Sequence, residues 1–156
     1  MKVEIWALGK TTEPYLETGI GIFEKRLKNY LPFTLTILPN AKIKTTDGAV
    51  LKQEEAKMVL SKLAPDDFLV LLDEKGQQFS SVELARWMEQ RLASSQRRLI
   101  FLIGGAFGFS PEVYGRANAQ LSLSRLTFSH QMVRLFMLEQ LYRAMTILRN
   151  EPYHNQ

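Results

Sequence analysis

The stretch Leu99-Ile100-Phe101-Leu102-Ile103-Gly104-Gly105-Ala106-Phe107-Gly108 contains the features that decide the fold. It opens with a continuous apolar run, Leu99–Ile103, which is typical of a strand buried on both faces of a parallel sheet. The glycine-rich loop then leads to Ser110-Pro111, an N-cap and first-turn proline that predict a short helix to Asn118. Because open α/β sheets bind ligands where a strand passes into the next helix, Gly104–Gly108 is a candidate binding loop.

Strands and helices alternate along the rest of the chain. Apolar runs and alternating patterns predict four more strands, Val3–Leu8, Phe33–Leu38, Phe68–Leu72 and Leu121–Ser124. Helical periodicity and capping residues predict helices over Thr11–Leu31, Val50–Leu63, Ser80 to about Ser94, and His130–Arg149. The strand at Phe68–Leu72 is expected to end in a turn, Asp73–Gly76. The order predicts one α/β domain, residues 1–156, with a mostly parallel sheet and helices on both faces.

The composition excludes several classes of function. The chain has no cysteine and two histidines, which argues against disulfides, thiolate zinc sites, a cysteine nucleophile and any metal site. The longest apolar stretch, Leu99–Phe109, is about half of the roughly 20 residues that a membrane span needs. The charged start, Met1–Glu4, does not resemble a signal peptide. We therefore expect a cytoplasmic protein that does not enter a membrane.

The net charge of +4 lies entirely in residues 97–156. Residues 1–96 are balanced, whereas the last 60 residues contain seven arginines, no lysine and three acidic residues. Arginine binds phosphate in a bidentate manner and stacks on bases. The arginines are either partners in surface salt bridges or the binding surface for an anionic ligand such as a nucleic acid.

The last predicted helix, His130–Arg149, has no continuous polar face. Its polar residues His130, Gln131, Glu139 and Gln140 fall around the whole circumference at 100° per residue. A helix that is apolar on all sides is buried on all sides. Either a second copy covers it in an isologous dimer, which we favour, or it is the central helix of a monomer.

The motifs narrow the chemistry by elimination. The glycine loop has the spacing G-G-x-x-G, which is neither a dinucleotide fingerprint nor a P-loop, and Arg125 stands where a dinucleotide site requires an acidic residue. A G-x-S-x-G nucleophile elbow is also absent. Methyl transfer from a sulfonium donor fits what remains, because positioning and one deprotonation supply most of its rate.

Four segments resemble the RlmH family of small SPOUT-class methyltransferases that modify bacterial 23S ribosomal RNA. These segments are Leu102–Ser110, Leu123–Arg134, Glu139–Ala144 and Asn150–His154. The resemblance implies S-adenosyl-L-methionine (AdoMet) as the cofactor and N3 of a pseudouridine in 23S rRNA as the methylated atom. It also implies a homodimer and a C-terminal deep trefoil knot, with the cofactor bound by residues from about 70 to 156.

The resemblance assigns site residues in two groups. The expected cofactor-binding residues are Leu72, Gly104, Gly105, Ser124, Arg125, Leu126, Thr127, Phe128 and Ser129. The expected substrate-side residues are Arg143, Tyr153, His154 and His130, with Arg134 in support. Tyr153 would offer a stacking face and His154 a proton acceptor. The general base is left open, since water could serve.

The expected substrate is the assembled ribosome rather than free RNA, because a chain with a charge of +4 neutralises few phosphates. The loop with Lys42 and Lys44 is a candidate outer contact, or else an ordinary solvated loop. The alternative function is that of a non-enzymatic ribosome- or RNA-binding factor with the same fold.

Overall fold

The computed structural model describes residues 1–40, 46–105 and 107–155. Within these ranges the strands are β1 (Lys2–Leu8), β2 (Phe33–Leu38), β3 (Phe68–Gln78), β4 (Arg98–Ile103) and β5 (Ala119–Ser122). The helices are α1 (Pro14–Lys28), α2 (Gly48–Lys62), α3 (Ser81–Leu92), α4 (Pro111–Arg116) and α5 (Met132–Leu148). Lys42 and Lys44 lie outside the described residues.

The strands form one sheet in the order β2-β1-β4-β3-β5, and all neighbouring pairs are parallel. The decisive strand β4 lies in the centre, between β1 and β3. All its residues from Leu99 to Ile103 are buried. The predicted α/β class and parallel sheet are therefore confirmed.

Alternate side chains of each strand enter two separate cores. Val3, Ile5 and Ala7 of β1 pack with residues of α1, α3 and α5, whereas Trp6 and Leu8 pack with residues of α2 and α4. Burial of these apolar side chains is the main force that holds the helices on the sheet. The prediction of helices on both faces is confirmed.

The predicted turn at Asp73–Gly76 is wrong, because β3 continues through it to Gln78. The local turn chemistry is present, since the Asp73 carboxylate accepts a hydrogen bond of 2.9 Å from the backbone N–H of Lys75. The chain does not reverse, however. Pairing with β5 is interrupted after Leu72 and resumes at Gln77, so that Leu121 is opposite both residues. The segment is an irregularity within a strand.

The end of α4 and the start of β5 also differ from the prediction. The helix ends at Arg116 rather than Asn118, and the strand is Ala119–Ser122 rather than Leu121–Ser124. Asn118 forms two hydrogen bonds with Leu69 of β3. Its backbone N–H donates to the Leu69 carbonyl and its side-chain oxygen accepts from the Leu69 N–H, each at 2.8 Å. These two bonds draw the chain into the sheet before the helical pattern ends.

Helix α5 packs between α1 and α3, so its own chain supplies most of its cover. Met137, Leu138, Leu141 and Ala144 are fully buried in this way. The first half of the helix still exposes 40% of Met132 and of Phe136. A second copy is therefore not needed to bury most of the helix, although it could cover the exposed first half. The dimer and the trefoil knot stay predictions. No helix in the described ranges is long and apolar enough to cross a membrane.

Candidate active site

A pocket of about 570 Å³ lies at the carboxyl end of the sheet. Leu72, Ile103 and Leu121, from three adjacent strands, form part of its wall. The carboxyl ends of parallel strands are where open α/β sheets bind ligands, and the volume suits a ligand of cofactor size. The pocket is therefore the candidate site that the strand–glycine loop pattern predicts.

The glycine loop forms one side of this pocket through Gly104, Gly105 and Gly108. The N–H of Gly108 donates to the Gly105 carbonyl at 3.2 Å, and Gly108 has φ +77°, a conformation that favours glycine. A Cβ on Gly105 would lie 3.1 Å from the Glu55 carboxylate behind the loop. The loop is thus closely backed by α2 and presents backbone atoms to a ligand.

The segment 123–130 forms the opposite side and contributes Leu123, Ser124, Leu126, Thr127, Phe128 and His130. Hydrogen bonds hold it in place at both ends. The Ser124 hydroxyl accepts from the Leu126 N–H at 3.0 Å, and Thr127 donates to Glu74 of β3 at 2.9 Å. Ser129 accepts from the Met132 N–H at 3.1 Å at the start of α5. The segment is therefore a loop fixed to the irregular part of β3.

Asp73, Glu74 and Lys75 line the pocket, so two carboxylates and one ammonium group face it from β3. Tyr114 donates a hydrogen bond to Asp73, and burial together with this bond raises the pKa of Tyr114 to about 12. Tyr114 therefore remains a hydrogen-bond donor at neutral pH. The sequence pattern did not single out Asp73, Glu74 or Tyr114, and it placed the two acidic residues in a turn.

Arg134 supports the pocket from beneath. Its side chain is fully buried and donates to the carbonyls of Leu8 and Gly9, each at 2.8 Å, and of His130, at 3.1 Å. Burial lowers its pKa, which nevertheless belongs to a group that stays charged in proteins. These bonds tie the end of β1 to the residue that closes the pocket. Arg134 was expected to support the substrate-side residues Arg143, Tyr153 and His154, and its hydrogen bonds join it instead to the pocket residue His130 and to the end of β1.

A second group of polar residues lies at the other end of α5. Arg143 donates to Glu139 through Nε at 3.1 Å and Nη2 at 2.6 Å, and its Nη1 donates to Nδ1 of His154 at 3.0 Å. Tyr153 donates to the same oxygen of Glu139 at 2.9 Å, and its ring lies 4.7 Å from the Arg143 guanidinium. We call Glu139, Arg143, Tyr153 and His154 the C-terminal cluster.

The structure divides the predicted site residues between two places. Those that line the pocket are Leu72, Gly104, Gly105, Ser124, Leu126, Thr127, Phe128 and His130. Arg125 and Ser129 are exposed and do not line it. The C-terminal cluster holds Arg143, Tyr153 and His154. Val133 of α5 lines the pocket and Arg143 follows ten residues later, so the two are about 15 Å apart along the helix axis.

Glu139 was missed by the sequence patterns, which placed it among the polar residues scattered around α5. Its position four residues before Arg143 is the ordinary spacing of a helical ion pair, and only the fold shows that Tyr153 joins it. In the part of the chain that the structure describes, no group of His, Asp and Glu side chains could hold a metal ion.

Comparison with known proteins identifies the family of this chain. A family model described as "Predicted SPOUT methyltransferase" matches residues 1–154. The "Ribosomal RNA large subunit methyltransferase H" of Cytophaga hutchinsonii is 49% identical over 99% of this chain and 100% of its own length. Proteins of that name from Christiangramia forsetii and Flavobacterium johnsoniae are 48% and 47% identical, with full coverage of both chains. The chain therefore belongs to the SPOUT methyltransferase family.

Proposed function

We propose that this protein transfers the methyl group of AdoMet to N3 of a pseudouridine in 23S rRNA, acting on the assembled ribosome in the cytoplasm. One observation supports the proposal above all. Leu72, the glycine loop and the segment 123–130 are separated in sequence and resemble the family's cofactor site, and all three line one pocket. The names of the relatives, which are large-subunit rRNA methyltransferases, support the class of substrate. We further propose that cofactor binding is confined to residues from about 70 to 156, since the pocket lining runs from Leu72 to Val133.

The pocket residues fit AdoMet in shape and charge. Leu72, Leu121 and Leu123 offer an apolar surface to the adenine ring, and the glycine loop permits close approach of the backbone. Asp73 and Glu74 would lie near the positive charges of the cofactor. AdoMet supplies an activated methyl group, whose bond to sulfur breaks as the bond to N3 forms and which leaves a neutral thioether. The task of the protein is then to hold both reactants in line.

The substrate must lose its N3 proton, and the resulting negative charge spreads over the two adjacent carbonyl oxygens. The C-terminal cluster is suited to stabilise that charge. Arg143 uses three of its five N–H groups on Glu139 and His154, which leaves two for the substrate. Glu139 already accepts hydrogen bonds from both Arg143 and Tyr153. We infer that water takes the proton.

His154 acts in this proposal as a donor rather than as the proton acceptor suggested by its sequence position. A guanidinium only donates, so Nδ1 of His154 must accept the bond from Arg143, and the ring proton lies on Nε2. Nε2 is buried and has no hydrogen-bond partner among the described residues. A buried donor without a partner costs about 1–3 kcal/mol, which a substrate carbonyl would recover.

Two substitutions of His154 separate these roles. His154→Asn keeps an oxygen that can accept from Arg143 but removes the donor at Nε2, so we expect kcat to fall by about tenfold to a hundredfold. His154→Gln places an amide N–H near the Nε2 position, so we expect kcat within about threefold of the wild type. Steady-state methyl transfer to ribosomes measures both. Equal losses in the two variants would contradict the donor role and favour proton abstraction by His154.

The two halves of the proposed site lie at opposite ends of α5, too far apart for one methyl transfer within a single protomer. We therefore propose a homodimer with two-fold symmetry, in which the C-terminal cluster of one protomer completes the pocket of its partner. An exposed apolar surface beside the pocket suits such an interface. Leu126 is 71% exposed, and the rings of Phe128 and Phe136 lie 5.1 Å apart next to the exposed Met132.

The function is tested by transfer of labelled methyl groups from AdoMet to ribosomes from a strain that lacks the modification, followed by nucleoside mapping. We expect one labelled nucleoside, N3-methylpseudouridine, and slower labelling of a free 23S transcript. Calorimetry with AdoMet should show one binding site per chain. Binding to ribosomes without heat from AdoMet and without label would overturn the proposal and indicate a non-enzymatic ribosome-binding factor.

A further inference from the structure

Four half-buried aromatic side chains pack together beside the C-terminal cluster, and Tyr153 belongs to both groups. We call Phe23, Tyr30, Tyr142 and Tyr153 the aromatic cluster. The ring of Tyr142 is central, with centroid distances of 5.8 Å to Phe23, 5.7 Å to Tyr30 and 4.8 Å to Tyr153. The four rings come from α1, the segment after it, α5 and the C-terminal tail. They therefore form one continuous apolar support at the end of α5.

Two exposed arginines lie on this support. The Arg26 guanidinium carbon is 5.2 Å from the Phe23 centroid and 5.6 Å from that of Tyr142, and that of Arg149 is 4.5 Å from the Tyr30 centroid. Across the described ranges, neither side chain makes a hydrogen bond or an ion pair. Their N–H groups are free, although the ring contacts hold the guanidinium planes in place.

The carboxylates close to these arginines already have partners. Glu151 accepts a hydrogen bond of 2.5 Å from Tyr30, which raises the pKa of Tyr30 to about 12 and keeps its hydroxyl a donor. Glu139 accepts from Arg143 and Tyr153. Neither carboxylate pairs with Arg26 or Arg149. The exposed edge of the aromatic cluster is thus positively charged and unpaired.

We propose that Arg26 and Arg149 bind phosphates of the RNA substrate next to the nucleotide that the C-terminal cluster receives. The proposal rests on the proposed function, because it gives that site its surrounding contacts. A guanidinium over an aromatic ring loses little further freedom when it binds, and its planar N–H edge matches a phosphate.

The chemistry favours RNA over an acidic protein surface. A protein partner would gain little from tyrosine rings already covered by arginines, whereas a nucleotide chain presents phosphates at regular spacing along its whole backbone. The position of Arg26 on α1 also explains how the charge-balanced first part of the chain contributes to substrate binding. Arg26 lies outside the arginine-rich residues 97–156.

The test compares the double variant Arg26→Met/Arg149→Met with a matched control, Arg86→Met/Arg97→Met, in methylation of unmodified ribosomes at several salt concentrations. Arg86 and Arg97 are also exposed but lie outside the aromatic cluster. For the Arg26/Arg149 variant we expect KM for ribosomes to rise by about tenfold or more, with kcat and AdoMet affinity within about twofold of wild type. The slope of log(kcat/KM) against log[salt] should fall by about 0.7 per arginine. In the control variant, KM for ribosomes and the salt slope should change only by the general effect of losing two positive charges, which both variants share.

Three outcomes decide the proposal. A raised KM with a reduced salt slope supports it. An unchanged KM and slope, or a raised KM with an unchanged slope as for a protein contact, overturns it. A second variant, Arg26→Lys/Arg149→Lys, should keep most of the salt slope, which separates lost charge from lost packing. If wild-type protein fails to methylate ribosomes while AdoMet still binds, the proposed function fails instead, and the two failures are distinguishable.

Discussion

Replacing Arg143 with methionine should lower kcat for methyl transfer by about 10²–10³-fold while AdoMet affinity changes by less than about twofold. Arg143 joins Glu139 and His154 and keeps two N–H groups for the substrate. Methionine preserves the length of the side chain but supplies neither donors nor charge. The developing negative charge on the base then loses its strongest partner, whereas the cofactor pocket, about 15 Å away along α5, is unaffected.

Single-turnover methylation of ribosomes and calorimetry with AdoMet measure the two quantities separately. Arg143→Lys should recover only a small part of the activity, because a point charge cannot bridge Glu139 and His154 as a planar guanidinium does. Arg86→Met, an exposed arginine replaced on α3, is the control and should be fully active. Activity of Arg143→Met within threefold of wild type would contradict the assignment. So would equal losses in kcat and AdoMet affinity, which would indicate general damage to the fold.

The strand–loop–helix pattern around Gly104 predicts where the pocket lies, because the causes of that pattern are local. A continuous apolar run is buried wherever it lies in a sheet, and a glycine loop at its carboxyl end must face the crevice. The incorrect prediction of a turn at Asp73–Gly76 has a different cause, which is not local. The hydrogen bond from Lys75 to Asp73 is local and predictable, but the renewed pairing of Gln77 with β5 depends on a strand more than 40 residues away.

The arginines show the limit of reading function from the position of charge. Of those in residues 97–156, Arg98 is bound to Asp67 and Glu4, Arg116 to backbone carbonyls, and Arg134 is buried beneath the pocket. Only Arg98 forms the salt bridges that the first interpretation expects, because Arg116 and Arg134 bind backbone carbonyls instead. Arg143 and Arg149 lie beside the C-terminal tail, where Arg143 also pairs with Glu139, and anion binding by these two stays a prediction. Charge counting cannot separate the two groups, because the partners are distant in sequence.

The separation of the two site halves leads to the sharpest prediction, in which two inactive chains restore activity together. Leu72→Arg should fill the pocket with a charged side chain and abolish AdoMet binding, and Arg143→Met inactivates the C-terminal cluster. A heterodimer with one substitution on each chain contains one site with an intact pocket and an intact cluster. We therefore expect about half of the wild-type activity per dimer, whereas each homodimer is inactive.

The reciprocal arrangement makes the result decisive. When both substitutions lie on one chain and its partner is wild type, each shared site contains one damaged half, so we expect no activity. If each protomer used its own cluster, the two heterodimers would give the opposite results: none for the first and about half for the second. Two affinity tags and sequential purification yield each heterodimer free of homodimers. Light scattering on the wild-type chain gives the oligomeric state independently, and a monomer at the assay concentration would overturn the shared site before any activity is measured.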